Sequence, residues 1–332
     1  MVCPASPPIE NSISKWTATS YRMGTRFLCR RVASEDIENA IARWKDAEGT
    51  LGLFEHDGSI SPNEQPCNDL VYHAGTSSAV WGIGLEAICK VKTWTCGMEM
   101  ESDTLAFVQA KAPHIPVPEV IYAWLDKKLH RTYLILRRIQ GTTLQDAWSS
   151  LTMDQQNKVA DTVAQYCFDL TRATSKRLES ATGCGVYEPF LHVSAKESHP
   201  SWEPRLLGPM STEAFIRYLR RRSSEIQPPP VNEFYFYHTD LSPTNIIVSG
   251  SGTILGILDW ESAGYYPEFW LPLKPYMSRG FLLSTEVSRY DWADALIKKL
   301  SEKGFKLEQE HINWYKSLKR EYFDIGDFLA FN

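Results

Sequence analysis

The apolar residues of this chain change their spacing near residue 140. Before that point, short apolar runs split by glycines occupy residues 70–92 and predict a meander of three antiparallel strands. A helix is predicted at about 99–111, followed by two further strands at 120–124 and 131–139. Beyond it, the apolar residues recur at helical spacing. The pattern therefore predicts an α+β fold, with a small antiparallel sheet lobe that contains one main helix and a larger, mostly helical lobe.

The same patterns divide the 332 residues into three predicted segments: a helical extension at 1–69, a sheet lobe at 70–139 and a helical lobe at 140–332. Within the extension, Ser34 is suited to cap a helix that runs to about Glu48 and stops at Gly49. In the helical lobe, Thr152 and Gln155 are spaced as a capping box, which predicts the start of another helix.

Composition and charge argue against several function classes. The formal net charge is −5, which does not favour DNA, RNA or an anionic membrane surface as a partner. No window approaches the roughly 18 apolar residues of a membrane span, and the first residues lack the features of a signal peptide. The seven cysteines are scattered and form no C-x-x-C pair, which indicates reduced thiols in an intracellular protein. We therefore expect a cytoplasmic protein without a nucleic-acid or membrane partner.

Residues 234–260, FYFYHTDLSPTNIIVSGSGTILGILDW, contain the most informative pattern of the chain. A short aromatic strand leads to Asp240, and a loop then leads to Asn245. Two apolar runs follow, joined by a Ser-Gly turn and ending at Asp259, and they predict a β-hairpin. Pairing about the turn places Asn245 opposite Gly256. This pairing brings Asp259 beside the loop that contains Asp240.

These three side chains suit phosphoryl transfer. A carboxylate such as Asp240 can orient an attacking hydroxyl and take its proton, while Asn245 and Asp259 offer hard oxygen ligands for Mg²⁺ beside the phosphates. Asp and Asn are also common turn formers, which is the alternative for each residue alone. Their occurrence together, in this order and strand context, favours a catalytic site.

The motif H-x-D-x-x-x-x-N at residues 238–245, followed by an apolar strand that ends in Asp-Trp-Glu at 259–261, resembles the aminoglycoside phosphotransferase/choline kinase family. Residues 263–270, AGYYPEFW, are similar to its fungal members in particular. The resemblance implies a two-lobed, protein-kinase-like fold that uses ATP and Mg²⁺. It also implies that the phosphate goes to a hydroxyl of a small molecule.

The resemblance also implies a role for each residue of the motif. Asp240 would be the catalytic residue, and Asn245 and Asp259 would bind the metal. His238 would pack and hydrogen-bond to shape the loop, and we do not expect it to act as a general base.

Kinase-like folds further need a strand lysine that holds the phosphates and a helix glutamate that fixes this lysine. Lys90, in an Ile-Cys-Lys run, is the lysine candidate, and Lys92 on the same side of the strand is its rival. Glu101 is the glutamate candidate, and its rivals are Glu99 and Asp103. The resemblance implies that the short phosphate loop consists of Gly75, Thr76, Ser77 and Ser78. It also implies that backbone groups near Leu136 and Arg138 hold adenine, so that residues 70–139 form a nucleotide-binding lobe.

The sequence thus predicts an ATP-dependent phosphotransferase with an alcohol group of a small molecule as acceptor. A nucleotide-binding pseudoenzyme or scaffold is the alternative, because the phosphate loop is atypical and Arg137 stands where the family often has Glu. A protein Ser/Thr kinase is less favoured, since Asp-Trp-Glu replaces Asp-Phe-Gly and no Ala-Pro-Glu motif follows. Residues 186–230, Glu188 among them, are candidates for the acceptor site.

Overall fold

The computed structural model describes residues 8–17, 19–33, 38–57, 65–74, 77–191, 203–223, 226–285 and 288–318. These residues form two compact units. The first contains the described parts of Met1–Cys96, Pro118–Ile139 and Pro200–Pro204, and the second those of Gly97–Val117, Gln140–His199 and Arg205–Asn332. The first unit is built mainly from antiparallel strands, and the second from helices with short strands. The fold class is α+β, as predicted.

The first unit consists of two antiparallel sheets. The strands of its N-terminal sheet are β1 Ile13–Thr17, β2 Ser20–Met23, β3 Phe27–Arg31, β4 Ala42–Asp46, β5 Gly49–Glu55 and β6 Gln65–Pro66, in the order β4-β5-β3-β2-β1-β6. Those of the second sheet are β7 Leu70–Ala74, β8 Ser78–Ile83, β9 Ala87–Thr93, β10 Val120–Asp126 and β11 Arg131–Arg137, in the order β10-β11-β9-β8-β7. The predicted three-stranded meander and the two strands after the helix are therefore confirmed.

A single hydrophobic core joins these two sheets. Phe27 and Leu53 from the N-terminal sheet lie in one buried cluster with Trp81, Cys89 and Tyr133 from the second sheet, and all five side chains are fully buried. Burial of one large apolar side chain contributes about 1.5–3 kcal/mol. The second sheet thus has one face covered by the N-terminal sheet.

The helix predicted at about 34–48 is wrong. Ser34, its proposed cap, lies outside the described residues, and Ala42–Asp46 form β4, which pairs with β5 in a hairpin. Ile41 and Trp44 are spaced like residues on one face of a helix, but Trp44 is buried whereas Ile41 is 42% exposed. Gly49 has a φ of +125°, which favours glycine and suits a tight turn before β5. Packing of Trp44 into a sheet core outweighed the local helix signals.

A buried carboxylate ties two turns of the first unit together. Asp126 is 1% exposed, and its Oδ2 accepts hydrogen bonds from the N–H (2.7 Å) and the hydroxyl (2.8 Å) of Thr25, between β2 and β3. Its Oδ1 accepts hydrogen bonds from the N–H groups of Lys128 (3.1 Å) and Leu129 (3.2 Å), between β10 and β11. Hydrogen bonds to a charged group are stronger than neutral ones. Asp126 therefore helps to hold the N-terminal sheet on the second sheet.

Replacing Asp126 with alanine is expected to lower the free energy of unfolding by about 2–4 kcal/mol, because the change leaves several buried donors without an acceptor. Urea denaturation of the purified chain measures this loss. Lys127→Ala, an exposed position in the same turn, is the matched control and should change the free energy by less than about 0.5 kcal/mol. Equal effects of the two changes would show that the Asp126 carboxylate does not stabilise the unit.

The second unit contains the seven α-helices of the described residues and several short strands. The helices are α1 Glu101–Lys111, α2 Leu144–Ala147, α3 Met153–Leu170, α4 Thr212–Arg222, α5 Trp270–Met277, α6 Asp291–Glu302 and α7 Gln309–Ser317. The strands are β12 Thr142–Thr143, β13 Thr174–Ser175, β14 Arg177–Leu178, β15 Met210–Ser211, β16 Phe234–Tyr237, β17 Ile246–Val248, β18 Ile254–Ile257 and β19 Gly264–Pro267. None of the helices in the described residues is long and apolar enough to cross a membrane.

Helix α1 has nearly the predicted bounds, but it groups with the second unit and not with the sheets of the first. The reason lies in its packing. The ring of Phe107 lies 4.6 Å from that of Phe236 in β16 and 6.2 Å from that of Tyr265 in β19. After the helix, the carbonyl of Pro116 accepts a hydrogen bond from the N–H of Ile257. These contacts bring α1 to the hairpin that carries the predicted catalytic residues.

The capping box at the start of α3 is confirmed. The hydroxyl of Thr152 accepts the N–H of Gln155 at 3.3 Å, and the side-chain oxygen of Gln155 accepts the N–H of Thr152 at 2.8 Å. The same unit buries Trp260, Trp270 and Trp292 almost completely. Local helix signals and a core of large aromatic side chains thus agree in this part of the chain.

Candidate active site

The loop after β16 is held in place by His238, which is 2% exposed. Its Nε2 donates to the carbonyl of Leu258 at 2.8 Å, and its Nδ1 accepts the N–H of Asp240 at 3.0 Å. One donating and one accepting nitrogen correspond to the neutral imidazole with its proton on Nε2. The ring also contacts Trp260 edge-on, with centroids 4.6 Å apart. Both nitrogens of His238 are therefore used to join this loop to the end of β18.

Asp240 and Asn245 are in direct contact. The Nδ2 of Asn245 donates to Oδ2 of Asp240 at 3.2 Å and to the Asp240 carbonyl at 3.0 Å. The N–H of Asn245 donates to the carbonyl of Ser242 at 3.0 Å, which closes the loop as a turn. Because Nδ2 points to Asp240, the Oδ1 of Asn245 is the atom that can act as a metal ligand.

The hairpin that carries Asn245 has a different register from the predicted one. Ile247 pairs with Gly256, and the carbonyl of Asn245 accepts the N–H of Leu258 at 2.7 Å. The predicted pairing of Asn245 with Gly256 is therefore wrong by two residues. One residue of the difference arises in the turn and the other at an irregularity of the ladder after Ile247. Asp259 still follows directly after the residue that bonds to Asn245.

Asp259 has a left-handed backbone conformation, with φ +65° and ψ +57°. Such a φ is uncommon outside glycine, although Asp and Asn adopt it more readily than other residues. The bend ends β18 and begins a short 3₁₀ helix, Trp260–Ser262. The left-handed bend redirects the chain at the open end of the hairpin, where Asp259 leaves the strand.

Three carboxylates converge at this bend. One oxygen each of Glu101, Asp259 and Glu261 lie within 4.8 Å of one another. The Oε1 of Glu101, in the first turn of α1, also accepts the N–H of Trp260 at 3.0 Å. Like charges at such separations repel one another, so a cation among these oxygens would lower the energy of the group.

The rivals of Glu101 have other surroundings. The carboxylate of Glu99 accepts four hydrogen bonds, from the hydroxyls of Thr104, Ser180 and Thr182 and from the N–H of Thr182. Glu99 is thus occupied in holding the start of α1 to the segment after α3. Asp103 is exposed. Glu101 is the one of the three whose carboxylate bonds to the Asp-Trp-Glu segment, and its pairing with Lys90 stays a prediction.

The carboxyl of Asp240 binds its proton more tightly than an ordinary aspartate does. Burial, and after it the charge of Asp259, raises the pKa of Asp240 to about 6. The ammonium of Lys274 acts in the opposite direction and lowers this pKa, while Glu261 and Glu188 raise it further. A general base is most effective when its pKa lies near the working pH. The surroundings of Asp240 therefore suit proton transfer near neutral pH.

Lys274 belongs to a buried ion pair that no sequence motif marked. Its Nζ lies 2.9 Å and 3.1 Å from the two carboxylate oxygens of Glu188, which also accepts the indole N–H of Trp270 at 3.1 Å. Glu188 is completely buried. The prediction that Glu188 lines the acceptor site is therefore wrong, because its carboxylate is enclosed by these partners. The two charged residues are far apart in the chain, and no spacing rule connects such positions.

The oxygen atoms at the hairpin end fit Mg²⁺. This ion prefers oxygen ligands and is held in proteins by one or two carboxylates together with phosphates and water. Asp259 and the Oδ1 of Asn245 supply such oxygens, and Glu261 and Glu101 add negative charge beside them. No sulfur lies in this set, and both nitrogens of His238 are engaged elsewhere. The donor chemistry therefore favours a hard divalent cation.

In the first unit, the two lysine candidates lie on the same face of β9, opposite to the face that enters the hydrophobic core. Lys90 pairs with Val80 and Leu134 of the neighbouring strands, and Lys92 pairs with Ser78 of β8. Lys90 is half-buried, whereas Lys92 is 6% exposed. Both side chains are thus on the face not covered by the N-terminal sheet, and the choice of Lys90 stays a prediction.

The predicted phosphate loop is only partly described. Gly75 and Thr76 lie outside the described residues. The N–H and the hydroxyl of Ser77 both donate to the carbonyl of Ala74, at 3.2 Å and 3.1 Å, and Ser78 begins β8. Both donors of Ser77 therefore close the turn between β7 and β8 in this conformation, and a phosphate contact by this loop stays a prediction.

The predicted adenine-binding residues lie at the end of β11. Leu136 is 4% exposed within the sheet, and the N–H of Arg138 donates to the carbonyl of Glu86 at 2.8 Å. The guanidinium of Arg138 lies beside Gly82, and it lines a cavity of about 530 Å³ within the first unit. A contact of Leu136 or Arg138 with adenine stays a prediction.

Comparison with known proteins identifies the family. A family model described as "Phosphotransferase enzyme family" (APH) matches residues 96–269. Among solved structures, aminoglycoside-3'-phosphotransferase of type VIII is 16% identical, with coverage of 74% of this chain and 88% of that chain and a TM-score of 0.45. The streptomycin–ATP–APH(2")-IIa ternary complex is 12% identical, with coverage of 79% and 88% and a TM-score of 0.46. No curated protein matches the chain.

The matched stretch contains the whole of the candidate site in the second unit. It begins shortly before α1 and ends after β19, so it includes Glu101, Asp240, Asn245, Asp259 and Glu261. It also covers more than half of the 332 residues. The chain belongs to the phosphotransferase enzyme family.

Proposed function

We propose that this protein transfers the γ-phosphate of ATP to a hydroxyl group of a small molecule. The observation that carries the proposal is the contact between Asp240 and Asn245 at the open end of the hairpin that ends in Asp259. This contact joins a carboxylate that can act as a base to an amide whose oxygen can bind a metal. Membership of a phosphotransferase family supports the same reaction class.

In this proposal, Asp240 acts as the general base for the hydroxyl group of the acceptor. Its carboxylate accepts the proton of the attacking hydroxyl and orients the oxygen toward the γ-phosphate. Asn245 keeps the carboxylate in place through its hydrogen bond to Oδ2. His238 fixes the backbone of the loop from the other side. Positioning of the two reactants supplies much of the rate enhancement in phosphoryl transfer.

Asn245 and Asp259 hold Mg²⁺ in this proposal. The ion would supply positive charge that screens the phosphate oxygens from the carboxylates and stabilises the charge that develops on them. The chain contributes the oxygen ligands and their placement. Glu101 positions the bend at Asp259 through its hydrogen bond to the N–H of Trp260. Lys90 and the loop at 75–78 contact the phosphates, and backbone groups near Leu136 and Arg138 contact adenine.

The proposal is tested by release of ADP from Mg-ATP in the presence of a broad panel of small-molecule alcohols, with the phosphorylated products identified by mass spectrometry. Dependence of ADP release on one class of alcohol supports the proposal. Binding of Mg-ATP in calorimetry without turnover of any alcohol would instead favour a nucleotide-binding pseudoenzyme. Labelling of generic protein substrates, with none of small molecules, would favour a protein kinase.

The pH dependence of turnover follows from the raised pKa of Asp240. Since this pKa is about 6 in the free protein, kcat/KM for Mg-ATP is expected to fall to half near pH 6 and tenfold for each further pH unit below it. The active form is the ionised one, so activity rises with pH. Steady-state rates between pH 5 and 8 measure the profile. Full recovery at pH 8 after incubation at pH 5 excludes irreversible inactivation, and circular dichroism at pH 5 shows whether the protein is folded there. A flat profile across this range would contradict the assignment of the base.

A further inference from the structure

An exposed turn lies against the carboxylate of Asp240. The short 3₁₀ helix Arg279–Phe281 follows α5, and Gly280 is its middle residue. A Cβ atom at Gly280 would lie 3.5 Å from Oδ1 of Asp240, 3.4 Å from Oγ of Ser278 and 3.9 Å from Cβ of Ser242. Gly280 therefore borders the candidate base on the side of Oδ1.

Neither the backbone nor the packing requires glycine at this position. Gly280 does not have a positive φ, so its backbone conformation is open to other residues. All three distances are ordinary van der Waals contacts, so an alanine would fit without displacing its neighbours. The turn itself is well anchored, because the Ser278 hydroxyl accepts the N–H of Gly280 and the Ser278 carbonyl accepts that of Phe281. The missing side chain thus leaves room for one carbon atom in van der Waals contact with Asp240, Ser278 and Ser242.

The two oxygens of Asp240 have different surroundings. Oδ2 accepts the hydrogen bond of Asn245, whereas Oδ1 is the oxygen that faces Gly280. Gly280 is exposed to solvent, and Oδ1 is the Asp240 atom nearest to a Cβ placed at Gly280. If the base uses Oδ1, the attacking hydroxyl lies at hydrogen-bond distance from this atom, and the carbon that bears the hydroxyl lies roughly 3.5 Å away. A Cβ at Gly280 would lie at the same distance from Oδ1, 3.5 Å, as this substrate carbon.

We propose that Gly280 determines which hydroxyl groups the site accepts, an inference that rests on the function proposed above. The space above Gly280 receives the substituents of the carbon that bears the attacking hydroxyl. The site therefore takes acceptors whose reactive hydroxyl is on a substituted carbon, as in secondary or ring alcohols. A larger side chain at this position restricts the site to unhindered primary alcohols and to water.

The test compares Gly280→Ala and Gly280→Val with the wild type on a panel that contains primary and secondary alcohols in matched pairs, such as 2-aminoethanol and 1-amino-2-propanol. ADP release without an alcohol, with water as the acceptor, is measured in parallel. Gly280→Val is expected to lower kcat/KM for secondary alcohols by about 10- to 100-fold relative to primary ones. The KM for Mg-ATP should change by less than about twofold. Gly280→Ala should show the same selectivity to a smaller degree.

Gly250 supplies the matched control. It lies in the exposed turn between β17 and β18, and a Cβ there would meet no atom within 4 Å. Gly250→Val should leave the acceptor selectivity unchanged. An unchanged ratio of kcat/KM for secondary and primary alcohols in Gly280→Val, in a folded protein that still releases ADP, would overturn the role of Gly280 but not the proposed function. A wild type that turns over neither alcohols nor water would overturn the proposed function and this inference with it.

Discussion

Replacement of Asp240 by asparagine is expected to lower kcat by roughly 10²- to 10⁴-fold, the usual contribution of a general base. The amide has nearly the shape of the carboxylate, and its oxygen can still accept the hydrogen bond from Asn245 that now reaches Oδ2. The variant therefore keeps the loop and loses the group that accepts the proton. Single-turnover rates with an accepted alcohol measure the chemical step directly, and calorimetry shows whether Mg-ATP still binds.

The same variant is expected to be more stable than the wild type at neutral pH. In the folded protein the pKa of Asp240 is about 6, above the value of about 3.9 in an unfolded chain. The folded state therefore binds this proton more tightly, so ionisation of Asp240 reduces stability as the pH rises from about 4 to about 6. Asparagine avoids this cost, which is on the order of 2–3 kcal/mol above pH 7 and vanishes near pH 4.

These two expectations distinguish loss of a base from loss of the fold. A variant that is inactive but melts at a higher temperature than the wild type at pH 7.5 supports the assignment. Asp154→Asn, an exposed carboxylate in the first turn of α3, is the control for the change of charge and should leave kcat unchanged. Wild-type turnover by Asp240→Asn would show that another group takes the proton.

Replacement of Asp259 by asparagine is expected to raise the Mg²⁺ concentration needed for half-maximal activity and to lower kcat by at least about 10²-fold. Asparagine tolerates the left-handed conformation of this residue, φ +65°, almost as well as aspartate does. The substitution therefore removes a negative ligand without forcing the bend to change. Titration of Mg²⁺ at saturating ATP, together with isothermal calorimetry of Mg-ATP, measures both effects.

Added Mg²⁺ shows whether Asp259 is a metal ligand or only a structural residue. Part of the lost activity should return at high Mg²⁺ concentration, because the remaining oxygens of Asn245 and Glu261 still favour the ion. Asp259→Gly keeps the bend but removes both oxygens of the side chain, and it should not be rescued. If Asp259→Asn and the wild type had the same Mg²⁺ dependence, Asp259 would not be a metal ligand.

Much of the second sheet and of the catalytic loop follows from residues that are near neighbours in the chain. The glycine-separated apolar runs predict β7 to β9 because each strand pairs with the next one through a short turn. The capping box at Thr152 is local in the same sense. Asp240, Asn245 and Asp259 are brought together by one loop and one hairpin, so their order in the sequence predicts their proximity.

The N-terminal sheet is the main part of the fold that the sequence did not reveal. Its strands gain their stability from packing on the second sheet, and from contacts such as that of Thr25 with Asp126, which lie 101 positions apart. Local spacing around Trp44 is compatible with a helix as well as with a strand. The strand is favoured over the helix because it buries the Trp44 side chain in a core that is built from distant segments.

By itself the sequence determined the family-specific motif, the order of the strands around it and the chemical type of each site residue, because these depend on short-range patterns. Only the tertiary structure decided the register of the hairpin, the contact of Glu101 with the N–H of Trp260 and the position of Gly280 beside Asp240. Each of these depends on a bulge or on packing between segments far apart in the chain. Such contacts are set by the free energy of the whole folded unit, which no local pattern records.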